Sequence, residues 1–347
     1  MTETTNQPGD LLAVVSQSGP TVTFFDAVTH EKLDVLEVPP EPHELCFDPD
    51  RRVLYCVSTY HSGYYHDNTG RARELTVIDV ATREVAEVID LGPEHGPHGL
   101  ALDRARNRLY VSVEANETEP GGVLVLDTER RAPIDRIPTG APGPHWFAIT
   151  PDGRRGYATN KEAPFVSVVD LETGTMTGRI DVPGSEGLDV SPDGRYVYVA
   201  APKGDFGGVP AAQPGIRVIE VATGEIVGLL PTEHVVFPVH VTGTGLILAG
   251  ELSMAGDGSA LGEHADGALH VYAPETHRHL GRVAVGRFPL TITSSPDGRF
   301  GYVANVDSST VSVVDLTRLE PVAVLEVARS GEPGAHGLAY LRAGDLA

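Results

Sequence analysis

One phrase recurs along this chain, and its spacing limits the possible folds more than any other feature. A short apolar strand leads into a Pro-Asp-Gly-like turn, a Tyr- and Val-rich strand, a loop and a Val-Ser-Val-Val-Asp strand. Two copies are clear. One runs Ile149-Thr150-Pro151-Asp152-Gly153, Gly156-Tyr157-Ala158-Thr159-Asn160 and Val166-Ser167-Val168-Val169-Asp170. The other runs Ser295-Pro296-Asp297-Gly298, Gly301-Tyr302-Val303-Ala304-Asn305 and Val311-Ser312-Val313-Val314-Asp315. Looser copies fall at Ser191–Val199, Phe47–Val57 and Arg106–Val111. Alternating β-branched and aromatic residues suit a pleated strand. Pro presets φ for a tight turn and Gly accepts a positive one. The Asp closing the third strand can accept hydrogen bonds from the turn after it, as at Asp170.

The residue before each first strand anchors the repeat: Pro42, Pro97, Pro144, Ser185, Pro238, Pro289 and Ala335. The six intervals cover 293 residues, about 49 each, the length of a four-stranded propeller blade. The segment from Leu11 to Val38 supplies three strands (Leu11–Ser16, Thr21–Asp26 and Leu33–Leu36) without a first one, and His336–Leu341 is a first strand with nothing after it. Together they complete a blade and leave no open edge. The sequence therefore predicts an all-β, seven-bladed propeller over residues 11–347, closed by pairing the C-terminal strand with the N-terminal blade. Residues 1–10 are expected to be a disordered tail.

These phrases resemble the YVTN β-propeller repeat family, related to the surface-layer and lactonase-like propellers. The resemblance covers about residues 11 to 342. It implies the fold and leaves the chemistry to be argued from the site. Many members are exported, whereas Met1–Asp10 is polar and acidic, with no basic and then apolar leader. The expectation is a cytoplasmic protein.

Charge narrows the partners. The net charge is −22 and no basic stripe is visible, which argues against nucleic acid and against an acidic membrane surface. No run of 18 apolar residues occurs. Cys46 and Cys56 lie on adjacent strands of one hairpin and are expected to be reduced, buried thiols. No Cys-x-x-Cys-His, nucleophile elbow, phosphate loop or dinucleotide fingerprint is present.

In a propeller the first strand of each blade lines the central channel, so the residue after each anchor belongs near the axis. In order these are His43, His98, His145, Glu186, a shifted blade, Leu290 and His336. In the shifted blade strict spacing selects Val239, but a shorter hairpin would select His240. Histidine makes up 14 of 347 residues, so seven draws would return well under one, yet four stand at equivalent places. Converging imidazoles with a carboxylate suit one first-row transition ion such as Fe, Zn, Mn, Ni or Cu. Calcium or magnesium would require more oxygen ligands. The expected ligands are His43, His98, His145 and His336, with His240 as a fifth candidate.

Loops over the same face carry candidate acid–base groups. These are His61 within Tyr60–Asn68, Glu114, and Glu251 ahead of a Gly-rich loop with Asp257, Glu263 and His264; Glu186 lies in the ring itself. Lys203–Gly208 and Asn160-Lys161 overhang it too. His30, His270, His277 and His279 read as surface residues. The leading expectation is a metal-dependent lyase, hydrolase or isomerase acting on a small molecule. One alternative is an Fe(II) oxygenase, because carotenoid-cleaving oxygenases are also seven-bladed and hold iron with four axial histidines. Another is a non-catalytic binding or scaffold propeller. Oligomeric state is not readable from the sequence.

Overall fold

Each repeat folds as a four-stranded antiparallel meander, because its strands are short, alternate in polarity and are joined by turns that reverse the chain. The computed structural model describes residues 9–63, 68–202, 212–255, 264–328 and 334–346. Among them, twenty-eight strands form seven four-stranded sheets, and the chain is a seven-bladed β-propeller. First strands begin at Pro42 (blade 1), Leu100 (blade 2), Pro144 (blade 3), Leu188 (blade 4), Val236 (blade 5), Pro289 (blade 6) and Ala335 (blade 7). Each first strand touches the next around the ring.

Blade 7 is composite. Ala335–Leu341 pairs antiparallel with Leu11–Ser16, Leu11 opposite Leu341 and Ser16 opposite Ala335, and Thr21–Asp26 and Lys32–Glu37 complete it. Closure thus comes from main-chain hydrogen bonds between the two ends of the chain. Asp10 joins them, accepting from the Tyr340 hydroxyl at 2.6 Å and the Ala343 amide at 2.7 Å.

Burial is greatest in the second strands and least in the fourth. Val53–Ser58, a second strand, is buried along its whole length, whereas Lys32–Glu37, a fourth strand, is almost wholly exposed. The inner strands lie between neighbouring blades, and the core is a ring of interblade clusters. One packs Val53, Tyr55 and Val57 of blade 1 against Leu109, Val111 and Val113 of blade 2. The repeated Tyr of the second strand is the largest fully buried side chain in four blades, as Tyr55, Tyr157, Tyr198 and Tyr302.

The turns follow the repeated residues. Ser295 Oγ donates to Asp297 Oδ1 at 2.6 Å, and that oxygen accepts from the Arg299 amide at 3.0 Å. Gly298 stands at φ 69°, the left-handed region the turn requires. Asp170 caps its turn by accepting from the amides of Glu172 and Thr173 at 3.0 and 2.8 Å. Cys46 and Cys56 are free thiols. Leu45, not Cys46, lies opposite Cys56, so the two point to opposite faces of the sheet. Burial pushes both thiols up to about 12. No helix among the described residues is long and apolar enough to cross a membrane.

Candidate metal centre at the channel mouth

The start of every first strand is built alike, which places one side chain per blade at the same height. In blade 3, Pro144 lies opposite Asn160, a bulge follows, and Phe147 lies opposite Ala158. Blade 1 repeats this with Pro42 and Leu45, and blade 7 with Ala335 and Leu338. In blades 2 and 4 the ladder extends back through the amides of His98 and Glu186, which donate to Ser112 and Ala200 carbonyls. In this common frame the residue after Pro42, Pro97, Pro144, Ser185, Pro289 or Ala335 faces the axis. It is His43, His98, His145, Glu186 and His336 in five blades and Leu290 in blade 6.

Blade 5 departs from the expected frame. Val236 lies opposite Glu251 and Val239 opposite Ala249, so Val236 is the starting residue and Phe237 the axial one. The Gly187 amide donates to the Phe237 carbonyl at 2.9 Å, as that of Gly99 does to His145 at 3.0 Å. A Cβ on Gly99 or Gly187 would fall 2.6 or 2.4 Å from those same oxygens, so only glycine fits there. Neither Val239 nor His240 therefore takes the axial place. His240 makes other contacts: its Nδ1 is 3.2 Å from Asp189 Oδ2 and its Nε2 is 2.9 Å from Ser294 Oγ.

The four histidines of the ring converge. They are 2, 0, 3 and 2% exposed for His43, His98, His145 and His336. Ring centres are 3.9 Å apart for His43–His336, 5.1 Å for His43–His98 and 4.7 Å for His98–His145. Ligand atoms of His43, His98 and His145 lie within 4.8 Å of one another, as do those of His43, Glu44 and His336. His43 belongs to both sets. Among the described residues neither of its ring nitrogens has a hydrogen-bond partner. Burial, followed by the nearness of His336, His98 and His145, holds the His43 imidazole well below its ordinary pKa. Burial and then the Lys161 charge do the same for His98. Both are neutral at physiological pH, the form that ligates metal.

Carboxylates stand behind the imidazoles. Glu186, wholly buried, places Oε1 2.8 Å from His145 Nδ1. Glu44 places Oε1 3.2 Å from His336 Nδ1. Glu114 Oε1 lies 3.1 Å from His98 Nε2 and accepts from the Tyr60 hydroxyl at 3.0 Å and Lys161 Nζ at 2.9 Å. Burial raises the Glu114 carboxyl, but His98 and Lys161 outweigh it and hold the group far below the usual range. Glu44 was not among the expected site residues, and Tyr60 and Lys161 were expected only as part of loops over this face. Glu44 follows His43 directly, and simple alternation sends it to the opposite face; the bulge between Pro42 and Leu45 breaks that alternation. Lys161 and Tyr60 arrive from blades 3 and 1, and no local sequence signal joins them.

Glu251 and His61 make other contacts. Glu251 points along its sheet away from the axis, 2.9 Å from His270 Nε2. His61 is an exposed loop residue beside Gly70, whose carbonyl accepts its amide at 2.9 Å. Tyr64, Tyr65, His66, Asp67, Lys203–Gly208, Asp257 and Glu263 lie outside the described residues. His264 is buried, its Nδ1 2.6 Å from Asp307 Oδ2, against the ring of Phe288.

No family model matches the chain. Over 153 residues it is 30% identical to the uncharacterized protein YncE of Salmonella typhimurium, a match spanning 43% of this chain and 41% of that protein. The chain thus covers about two fifths of that relative's length. It is 26% identical over 340 residues to the seven-bladed β-propeller protein Rv1057 of Mycobacterium tuberculosis, covering 86% of this chain and 78% of that one. Among solved structures it is similar to Kuenenia stuttgartiensis hydrazine synthase, with TM-score 0.68, 21% identity and coverage of 86% of this chain and 90% of the other. It is also similar to a functionally unknown protein from Desulfotomaculum acetoxidans, with TM-score 0.67, 12% identity and coverage of 96% and 99%. At these identities the solved structures share the propeller fold.

Proposed function

We propose that the channel mouth holds one transition-metal ion on His43, His98, His145 and His336, and that the protein is a metal-dependent enzyme acting on a small molecule. The observation that carries this reading is His43. Leaving polar atoms buried without partners costs about 1–3 kcal/mol each unless something binds them. His43 belongs to both ligand sets, so an ion bound by one of its nitrogens would repay part of that cost. The carboxylates behind His98, His145 and His336 add to the case, because ligating imidazoles are commonly oriented by such partners. The donor set is nitrogen-rich and free of thiolate, which suits Fe, Zn, Mn, Ni or Cu.

Bound there, the ion would supply a Lewis acid for polarising a carbonyl or lowering the pKa of water. The chain supplies the remainder. Glu186, 2.8 Å from His145 Nδ1, would orient that imidazole, and Glu44, in one ligand set with His43 and His336, would serve as a further ligand. Glu114, kept as a carboxylate, lies beside His98 and accepts from Tyr60 and Lys161, and so sets the charge around the ion. Lyase, hydrolase and isomerase chemistry all fit these groups.

Untagged protein should hold about one transition-metal ion per chain at the channel mouth, counted by elemental analysis. His98→Ala combined with His145→Ala should lower the metal content by that one equivalent. The same metal content as the wild type in that double variant would overturn the proposal. A second reading, an Fe(II) oxygenase, is favoured by the four-imidazole set, and oxygen uptake by iron-loaded protein with candidate substrates separates the two.

A further inference from the structure

A second group of imidazoles lies on the outer half of blade 5, apart from the channel. His270 is on the third strand, His264–Tyr272, and His279 begins the fourth, His279–Arg287. Tyr272 lies opposite His279, which brings the two histidines together on one face of the sheet. Read as a surface residue from the sequence, His270 is in fact buried, 7% exposed, while His279 is open to solvent.

His270 is held as a ligand is held. Its Nε2 lies 2.9 Å from Glu251 Oε2. Glu251 is itself fixed: Oε1 accepts from the amides of Glu233 and His234 at 2.8 and 2.7 Å, and Arg282 lies 3.4 Å from Oε2. Burial raises the Glu251 carboxyl, but the His270 hydrogen bond, the His234 amide and Arg282 together bring it down to about 2. A carboxylate so placed accepts a hydrogen bond from the Nε2–H of His270 and leaves the Nδ1 lone pair facing His279. The Tyr272 ring stacks on His270, 6.2 Å between centres at 19°, and lies 5.0 Å from His279, which keeps both imidazoles in place.

His270 Nδ1 and His279 Nε2 share a hydrogen bond at 3.1 Å, and an ion would take the place of the proton between them. Two nitrogens each about 2.0–2.1 Å from one zinc at the tetrahedral angle are about 3.3–3.4 Å apart, so a shift of a few tenths of an ångström by the exposed His279 would seat the ion. A carboxylate on the far nitrogen of a ligand histidine is the usual outer support of such a site. From this geometry we infer that His270 and His279 form a second, surface site for a dication of the Zn(II), Ni(II) or Cu(II) class. Glu251 is its positioning residue, and water completes the shell on the open side. The site stands independently of the channel mouth.

Equilibrium dialysis of untagged, metal-free protein against Zn(II) at pH 7.5, followed by elemental analysis, tests it. His279 is exposed, so His279→Ala should fold normally and bind one equivalent fewer than the wild type. The His98→Ala/His145→Ala variant should retain that outer equivalent, which separates this site from the inner one. Glu251→Gln should weaken the outer equivalent about 10-fold or more. If His279→Ala binds the same number of zinc ions as the wild type with the same affinity, the site does not exist. Unchanged affinity in a folded Glu251→Gln variant would remove the positioning role of Glu251.

Discussion

The channel mouth has two unlike arcs built on one backbone plan. Around the ring, blades 7, 1, 2, 3 and 4 present His336, His43, His98, His145 and Glu186, while blades 5 and 6 present Phe237 and Leu290. On the first arc, buried polar groups meet one another and carboxylates stand behind imidazoles. On the second, Phe237 and Leu290 pack with Val235, Leu252, Phe288 and Val306 in one buried apolar cluster. The Phe237 and Phe288 rings meet edge to face at 5.2 Å. The strand starts share a register, so backbone geometry does not separate the arcs. The propeller brings seven side chains to one height, and the residue type at that place decides whether the arc stabilises the fold or leaves buried polarity for a ligand.

The contrast is sharpest under substitution. His43→Leu should remove the channel-mouth equivalent of metal, measured by elemental analysis. Stability of the metal-free protein should hold or rise, because an apolar group replaces buried nitrogens that lack partners. A strong loss of metal-free stability would mean that His43 is structural and that the arcs are alike. Phe237→Ala should act the opposite way. It removes a packed ring, should cost about 3–5 kcal/mol in denaturant unfolding, and should leave metal stoichiometry unchanged.

Acid should strain only the imidazole arc. His43 and His98 have folded pKa values well below their ordinary 6.5, so the unfolded chain takes up protons that the fold excludes. Stability of the metal-free protein is therefore full above about pH 6.5 and falls as pH drops below it. Each excluded proton contributes about 1.4 kcal/mol per pH unit to that slope. His43→Leu should make the slope shallower by one proton, read from denaturation midpoints between pH 6.5 and 5. An identical slope in both proteins would contradict the assignment. The smallest effect is expected at His240, part-exposed and bonded to Asp189 and Ser294. His240→Ala should leave metal content unchanged and cost about 1 kcal/mol.

Much of this was legible in the residues themselves. Blade number, ring closure through Leu11–Ser16 and the convergence of His43, His98, His145 and His336 follow from a phrase that recurs every 49 or so residues. Blade 5 was not legible. Val236-Phe237-Pro238-Val239-His240-Val241 alternates equally well in two frames, and Pro238 resembles the Pro anchors of four other blades. The frame is chosen by the bulge and by the close contact of Gly187 with the Phe237 carbonyl. The partners of the imidazoles were hidden for a related reason. Glu44 reaches His336 from a neighbouring blade and Lys161 reaches His98 from another, between segments 292 and 63 residues apart in sequence.

The sequence alone determined the architecture, because strand length, turn chemistry and repeat spacing are local properties that add up to a closed ring. It also determined which residue types could gather at the axis. The tertiary structure alone decided which side chain of blade 5 faces inward, which carboxylate supports each histidine, and that His270 is buried against Glu251. The physical reason is that a strand's period of two leaves its register open to a shift of two residues. Only packing against the next blade, where a single Cβ more or less determines the fit, selects one register.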